Sequence, residues 1–100
     1  MESVKNTQGR FGDLINGDVP VLVDVFATWC GPCKMLEPAV KQVAGRMEGK
    51  IKVIKIDIDK NPHVASAYHV QGVPTLILFQ RGKILWRQSG VIPAQEIDPC

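Results

Sequence analysis

Apolar positions along the chain alternate between helical and strand-like spacing. Phe11, Leu14 and Ile15 recur at helical spacing and stop at Asn16-Gly17-Asp18, which predicts a short helix ending before Pro20. Ahead of it there is room only for a marginal strand near Ser3-Val4-Lys5. The run Val21-Leu22-Val23-Asp24-Val25-Phe26-Ala27 is too short for a helix and rich in β-branched residues, which predicts a buried parallel strand. Met35, Leu36, Ala39, Val40, Val43, Ala44 and Met47 then return to helical spacing. They predict a helix from about Pro32 to Met47, with Met35 and Met47 in its core-facing stripe. Pro38 inside this helix removes a backbone donor and is expected to kink it, and Glu48-Gly49-Lys50 ends it.

Ile51–Ile58 reads as a second long strand, with Ile54, Ile56 and Ile58 on one face and Val53, Lys55 and Asp57 on the other. Asp59-Lys60-Asn61-Pro62 is a turn and cap with Pro62 at the first helical position, opening a short helix that carries Val64, Ala65 and Tyr68. Gln71-Gly72-Val73-Pro74 breaks the pattern before a third strand, Thr75–Gln80, and Arg81-Gly82 turns the chain into an antiparallel partner, Lys83–Ser89. Strands and helices that alternate and then end in a hairpin predict an α/β sandwich around a mixed sheet. After Gly90 only Val91 to Ile97 can be helical, and Pro99 should stop it.

Composition narrows the function classes. One hundred residues with a 45% hydrophobic fraction suit one domain with one core, so residues 1–100 are expected to form a single domain. Twelve basic residues against 10 acidic ones, with no basic run, argue against a nucleic-acid or membrane surface. No stretch approaches the roughly 20 apolar residues of a spanning helix. The start has no apolar segment of the kind that leads export, which points to the cytoplasm, although an exported chain whose leader had been removed would look the same. Three cysteines, of which only Cys30 and Cys33 are close, do not make a disulfide scaffold, and this favours a reducing compartment.

The chemistry concentrates at Trp29-Cys30-Gly31-Pro32-Cys33-Lys34. The dithiol sits where the strand ends and the helix begins, a context that gives a CxxC spacing a redox meaning. A thiol attacks a disulfide as thiolate, and Cys30 lies at a helix N-terminus, where unpaired N–H groups and the dipole favour an anion. Cys33, one turn further in, is expected to be more buried and to stay protonated longer. Pro32 gives up a donor that would be unpaired anyway. Trp29 offers a flat apolar rim for a protein substrate.

Asp24 is a carboxylate inside an apolar strand, costly unless paired or protonated, and Lys55 in the next parallel strand can face it. Burial would raise the Asp24 pKa and the lysine would lower it. Two roles fit: Asp24 takes the proton of Cys33 as that thiol attacks a mixed disulfide, or Asp24 and Lys55 form a structural ion pair. Val73-Pro74-Thr75 is also open to two readings. A trans Pro74 would be an ordinary strand-start device, whereas a cis bond would expose the Val73 backbone to an incoming peptide.

With Asp24, the Trp29–Lys34 hexapeptide, Pro38, Lys55, Gly72-Val73-Pro74-Thr75, Gly82 and Gly90 in this order, the chain resembles the thioredoxin family over roughly residues 3–97. The resemblance implies a three-layer sandwich whose central mixed sheet is flanked by helices. It makes Cys30 the nucleophile, Cys33 the resolving thiol, Asp24 (with Lys55 beside it) the proton acceptor, and Pro74 cis. It also implies that Trp29, Gly31, Pro32, Gly72, Val73, Pro74, Gly90 and Val91 form the substrate surface.

The expected activity is protein-disulfide reduction through a reversible Cys30–Cys33 dithiol, since Gly-Pro between the cysteines accompanies reductants in this family. Disulfide-containing proteins would be substrates, and a flavin-containing, nicotinamide-dependent thioredoxin reductase the electron donor. No bound cofactor is expected. The chain departs from the family pattern at Phe26, where tryptophan is usual, and in a last helix cut short by Asp98-Pro99-Cys100. Apolar surface left uncovered by that helix would favour dimerisation or lower stability, so a monomer or weak homodimer is expected.

The remaining candidates read plainly. Cys30, Cys33, His63, His69 and Cys100 lack the recurring spacing of a structural zinc site, so no metal is expected. His63 and His69 read as surface or helix-end residues, Cys100 as an incidental terminal thiol, and Lys34 and Arg87 as solvated charges. Two rivals to the reductase remain: an oxidase or isomerase using the same dithiol, and a non-catalytic module that docks partners through Trp29 and Pro74.

Overall fold

A computed structural model describes residues 2–4, 10–90 and 97, with side chains from 11 onward. Its elements are β1 (Glu2–Val4), α1 (Arg10–Ile15), β2 (Val21–Phe26), α2 (Gly31–Arg46), β3 (Lys52–Asp57), α3 (Pro62–Ala67), β4 (Thr75–Gln80) and β5 (Lys83–Ser89). The strands form one mixed sheet ordered β1-β3-β2-β4-β5. β3 pairs parallel with β1 and β2, β4 is antiparallel to β2, and β5 is antiparallel to β4. β2 is thus the central strand, which explains why its sequence is apolar on both faces.

Alternation along β2 feeds two cores. Val21, Val23 and Val25 pack with Phe11 and Ile15 of α1, Val64 of α3, Ile54, Ile56, Ile77 and Phe79. Rings of Phe11, Tyr68 and Phe79 meet edge to face there, with centroids 5.1–5.8 Å apart. Leu22 faces the other way, into a core with Leu36, Val40 and Val43 of α2, Val53, Leu76, Leu78 and Ile97. Helices on both faces of the sheet make the three layers the resemblance implies. The expected short last helix, Val91 and Cys100 lie outside the described residues, apart from the buried Ile97.

Two sequence expectations need correction. Met35 does not join the core stripe of α2; it is 70% exposed. The buried face is Cys33, Leu36, Val40 and Val43, and Met35, one residue before Leu36, is turned about 100° away from it. Arg87 is not a solvated charge. Its guanidinium donates to the carbonyls of Tyr68 (2.5 Å) and His69 (2.7 Å), tying β5 to the turn that ends α3, where His69 has φ 58°. α2 runs unbroken past Pro38.

Candidate active site

The redox pair is built by the β2–α2 junction. β2 ends at Phe26, Cys30 N–H donates to the Ala27 carbonyl (3.1 Å), and Cys30 takes an extended conformation as the N-cap of α2. Cys33 then falls one turn in, at the third helical residue, and its backbone N–H donates to Cys30 Sγ at 3.1 Å. The two cysteines are joined in a disulfide, with their Cα atoms 5.3 Å apart, a normal separation for such a bond. Gly31 and Pro32 fill the exposed first turn, Pro32 at a position whose N–H has no helical partner to lose.

The expected difference in burial between the two thiols is absent. Cys30 is 4% and Cys33 6% exposed. What separates them is position on the helix: Cys30 caps it and accepts an N–H, whereas Cys33 lines a cavity of about 210 Å³ together with Asp24, Phe26, Lys34, Glu37 and Lys55.

Asp24 enters that cavity because it shares the Leu22 face of β2. It is 2% exposed, and its Oδ1 has no hydrogen-bond partner among the described residues. Burial pushes its carboxyl up from 3.8 to about 6; Lys55 pulls it down and Glu37 pushes it further up. The sheet register pairs Asp24 with Lys55, as the sequence suggests. The lysine's ion-pair partner is nevertheless Glu37, at 3.6 Å, and its ammonium also lies 4.7 Å from the centroid of the Phe26 ring.

Around the disulfide the chain brings several distant segments together. Val73 packs against the cluster of Ala27, Cys30 and Cys33. The Val73–Pro74 bond is cis, as the resemblance implies, and the loop is pinned by Thr75 Oγ1 donating to the Gly72 carbonyl (2.7 Å) and Gly90 N–H donating to the Pro74 carbonyl (3.0 Å). Gly90 sits at φ 90°, a conformation that favours glycine. Trp29 is 69% exposed, and its indole Nε1–H donates to Asp59 Oδ2 at 2.8 Å. Asp59 is in turn set by a turn in which its N–H donates to Asp57 Oδ1.

Glu37 and Asp59 were not singled out by the sequence pattern. Glu37 is four residues after Cys33 and so returns to the same side of α2, a spacing that offered the one available signal. Asp59 gave none, since its meeting with Trp29 joins the ends of two different strands. Among the described residues, no group of three or more His, Cys, Asp or Glu side chains is arranged to hold a metal ion, and no helix is long and apolar enough to cross a membrane.

The thioredoxin family model matches residues 2–99. The chain belongs to the thioredoxin family. It is 45% identical over 86 residues to thioredoxin 1 of Chlorobaculum tepidum, covering 85% of either chain. It is 44% identical over 94 residues to chloroplastic thioredoxin Y2 of Arabidopsis thaliana, covering 93% of this chain and 56% of that one. The crystal structure of Malassezia sympodialis thioredoxin superposes with a TM-score of 0.86 at 27% identity, covering 94% of this chain and 84% of that chain. Chloroplastic thioredoxin z follows with a TM-score of 0.79 at 37% identity, covering 97% and 87%. The chain is therefore a thiol–disulfide oxidoreductase with the thioredoxin fold, and Cys30–Cys33 is its redox-active disulfide. The thioredoxin family acts on disulfide-containing proteins together with thioredoxin reductase.

Proposed function

We propose that this chain, acting as a single domain, works as a reductant of protein disulfides. The observation that carries this reading is the N–H of Cys33 aimed at Cys30 Sγ from a helix N-terminus, above a cavity that holds a buried carboxyl. In the reduced protein the Cys30 thiolate is stabilised by that donor and the helix dipole. It attacks one sulfur of a substrate disulfide; a Cys30–substrate disulfide forms, and the other substrate sulfur leaves with the electron pair. Cys33 then gives its proton to Asp24 and attacks Cys30 Sγ. The Cys30–Cys33 bond forms, the bond to substrate breaks, and the substrate's second thiolate departs. Two electrons have passed from the dithiol to the substrate. Lys55 steadies the charge that Asp24 gains and loses.

The exposed indole of Trp29, the turn Gly31-Pro32, the loop Gly72-Val73-Pro74, and Gly90-Val91 are proposed as the surface that receives the substrate. A flavin-containing, nicotinamide-dependent thioredoxin reductase would restore the dithiol, no bound cofactor is needed, and the working site is cytoplasmic. The protein would act as a monomer or weak homodimer, which native mass spectrometry distinguishes. The test is insulin reduction with such a reductase as recycling system. The parent chain should turn over, Cys30→Ser should be inactive, and Cys33→Ser should accumulate one equivalent of substrate bound through Cys30. A Cys33→Ser variant that turned over normally would sink the scheme. A dithiol potential close to those of strong oxidants would favour the oxidase or isomerase instead.

A further inference from the structure

Resting on the reading of Asp24 as the acceptor of the Cys33 proton, we infer that Glu37 is a positioning residue for the resolving step: it anchors the Lys55 ammonium at the wall of the shared cavity and so tunes the base that Cys33 meets. The geometry is specific. Glu37 stands one helical turn after Cys33 on α2 and lines the same cavity as Asp24, Cys33 and Lys55. Among the described residues, the ammonium of Lys55 meets Glu37 Oε1 at 3.6 Å and the face of Phe26 at 4.7 Å, and neither contact is to Asp24. Asp24 is the strand neighbour of Lys55, yet its Oδ1 is without a hydrogen-bond partner among the described residues.

Around Asp24, α2 contributes Cys33, Lys34 and Glu37, β3 contributes Lys55, and the β4 residue opposite is the buried Leu76. Lys55 thus faces two carboxyl groups of unequal burial. The partly exposed Glu37 engages it, which leaves the buried Asp24 with less of its attraction and brings a second carboxyl group nearby. Both effects favour the protonated form of Asp24, and the direction agrees with the influence of each group on its acidity. Phe26 takes part as well, since the ammonium lies over its ring.

Glu37 Oε1 also pairs with the exposed Lys41 at 3.6 Å, an ordinary contact between successive turns of one helix. A purely structural role for Glu37 would run through that pair.

The test uses the full chain carrying Cys100→Ser, so that only Cys30 and Cys33 react. The reduced protein is mixed with excess dithionitrobenzoate in stopped flow, where the second thiol released reports attack by Cys33. The acid limb of that second phase should move toward lower pH by about half a unit or more in Glu37→Gln, and the carboxyl carbon of Asp24, followed by NMR, should titrate lower by a similar amount. Lys41→Gln should leave both unmoved. If Glu37→Gln leaves both unmoved, or if Lys41→Gln shifts them equally, the positioning role is wrong. Asp24→Asn separates the two readings. If it changes the second phase while Glu37→Gln does not, only the role of Glu37 fails. If Asp24→Asn also leaves the second phase unchanged across pH, the proton-acceptor reading fails and the Glu37 inference with it.

Discussion

At the scale of single residues, Asp24 is a buried carboxyl on the wall of the cavity that Cys33 lines. Asp24 has a folded-state pKa of about 6 against 3.8 when solvated, mainly because burial penalises its charge. A raised value means that the folded protein holds the proton more tightly than the unfolded chain. The resulting stabilisation is complete below about pH 4 and is lost as pH rises through about 6. A shift of about two units corresponds to about 3 kcal/mol between the two limits. Urea unfolding of the oxidised protein should therefore show Asp24→Asn gaining on the parent by up to about 3 kcal/mol between pH 4 and pH 8. Taking the change between two pH values removes the pH-independent cost of burying an amide. A difference that stayed constant across this range would mean that Asp24 is not the group whose titration weakens the fold.

The elements matter through where they end. The turn after β2 brings Cys30, itself extended, to the N-cap of α2, and the turn after β3 delivers Asp59 to Trp29. The end of α3 is held by a residue far away in sequence, Arg87, through two carbonyls. These are charge-assisted bonds to backbone groups, so Arg87→Met should cost about 1–2 kcal/mol in urea unfolding. The loss should be local in its dynamics, with faster hydrogen exchange at residues near 68–70 and unchanged exchange in β2. Uniform acceleration across the sheet would show instead that Arg87 supports the whole fold. Nothing in the pattern around Arg87 marks it, because its partners are carbonyls exposed only once α3 stops and β5 lies alongside.

Across the whole molecule, the sheet separates two cores that answer to different helices. Leu36, 0% exposed, is the α2 residue one turn past Cys33, and it packs with Leu22, Leu76 and Leu78. Leu36→Ala should destabilise the protein by about 2–5 kcal/mol in chemical denaturation, the usual range for a leucine truncated in a close-packed core. Because α2 also carries both cysteines, the variant would test whether the site and the core share one cooperative unit. Insulin reduction and secondary structure should be lost together as denaturant rises.

Much of this was legible in the chain alone, for reasons that are local. A β-branched apolar run, a Cys-Gly-Pro-Cys turn and a helical stripe follow directly on one another, so the strand, the cap and the place of the dithiol all come from near neighbours. Asp24 was conspicuous because a charge in such a run conflicts with its surroundings, and Lys55 because period-two alternation put it on the matching face. What only the tertiary structure decided involves groups from separate elements. Lys55 turns its ammonium to Glu37 and Phe26, and Asp24 Oδ1 has no hydrogen-bond partner among the described residues. Cys30 and Cys33 differ in helical position and in burial hardly at all. Periodicity specifies which face a side chain takes; which of two carboxyl groups a cation then meets depends on distances set by the packing of α2 against the sheet.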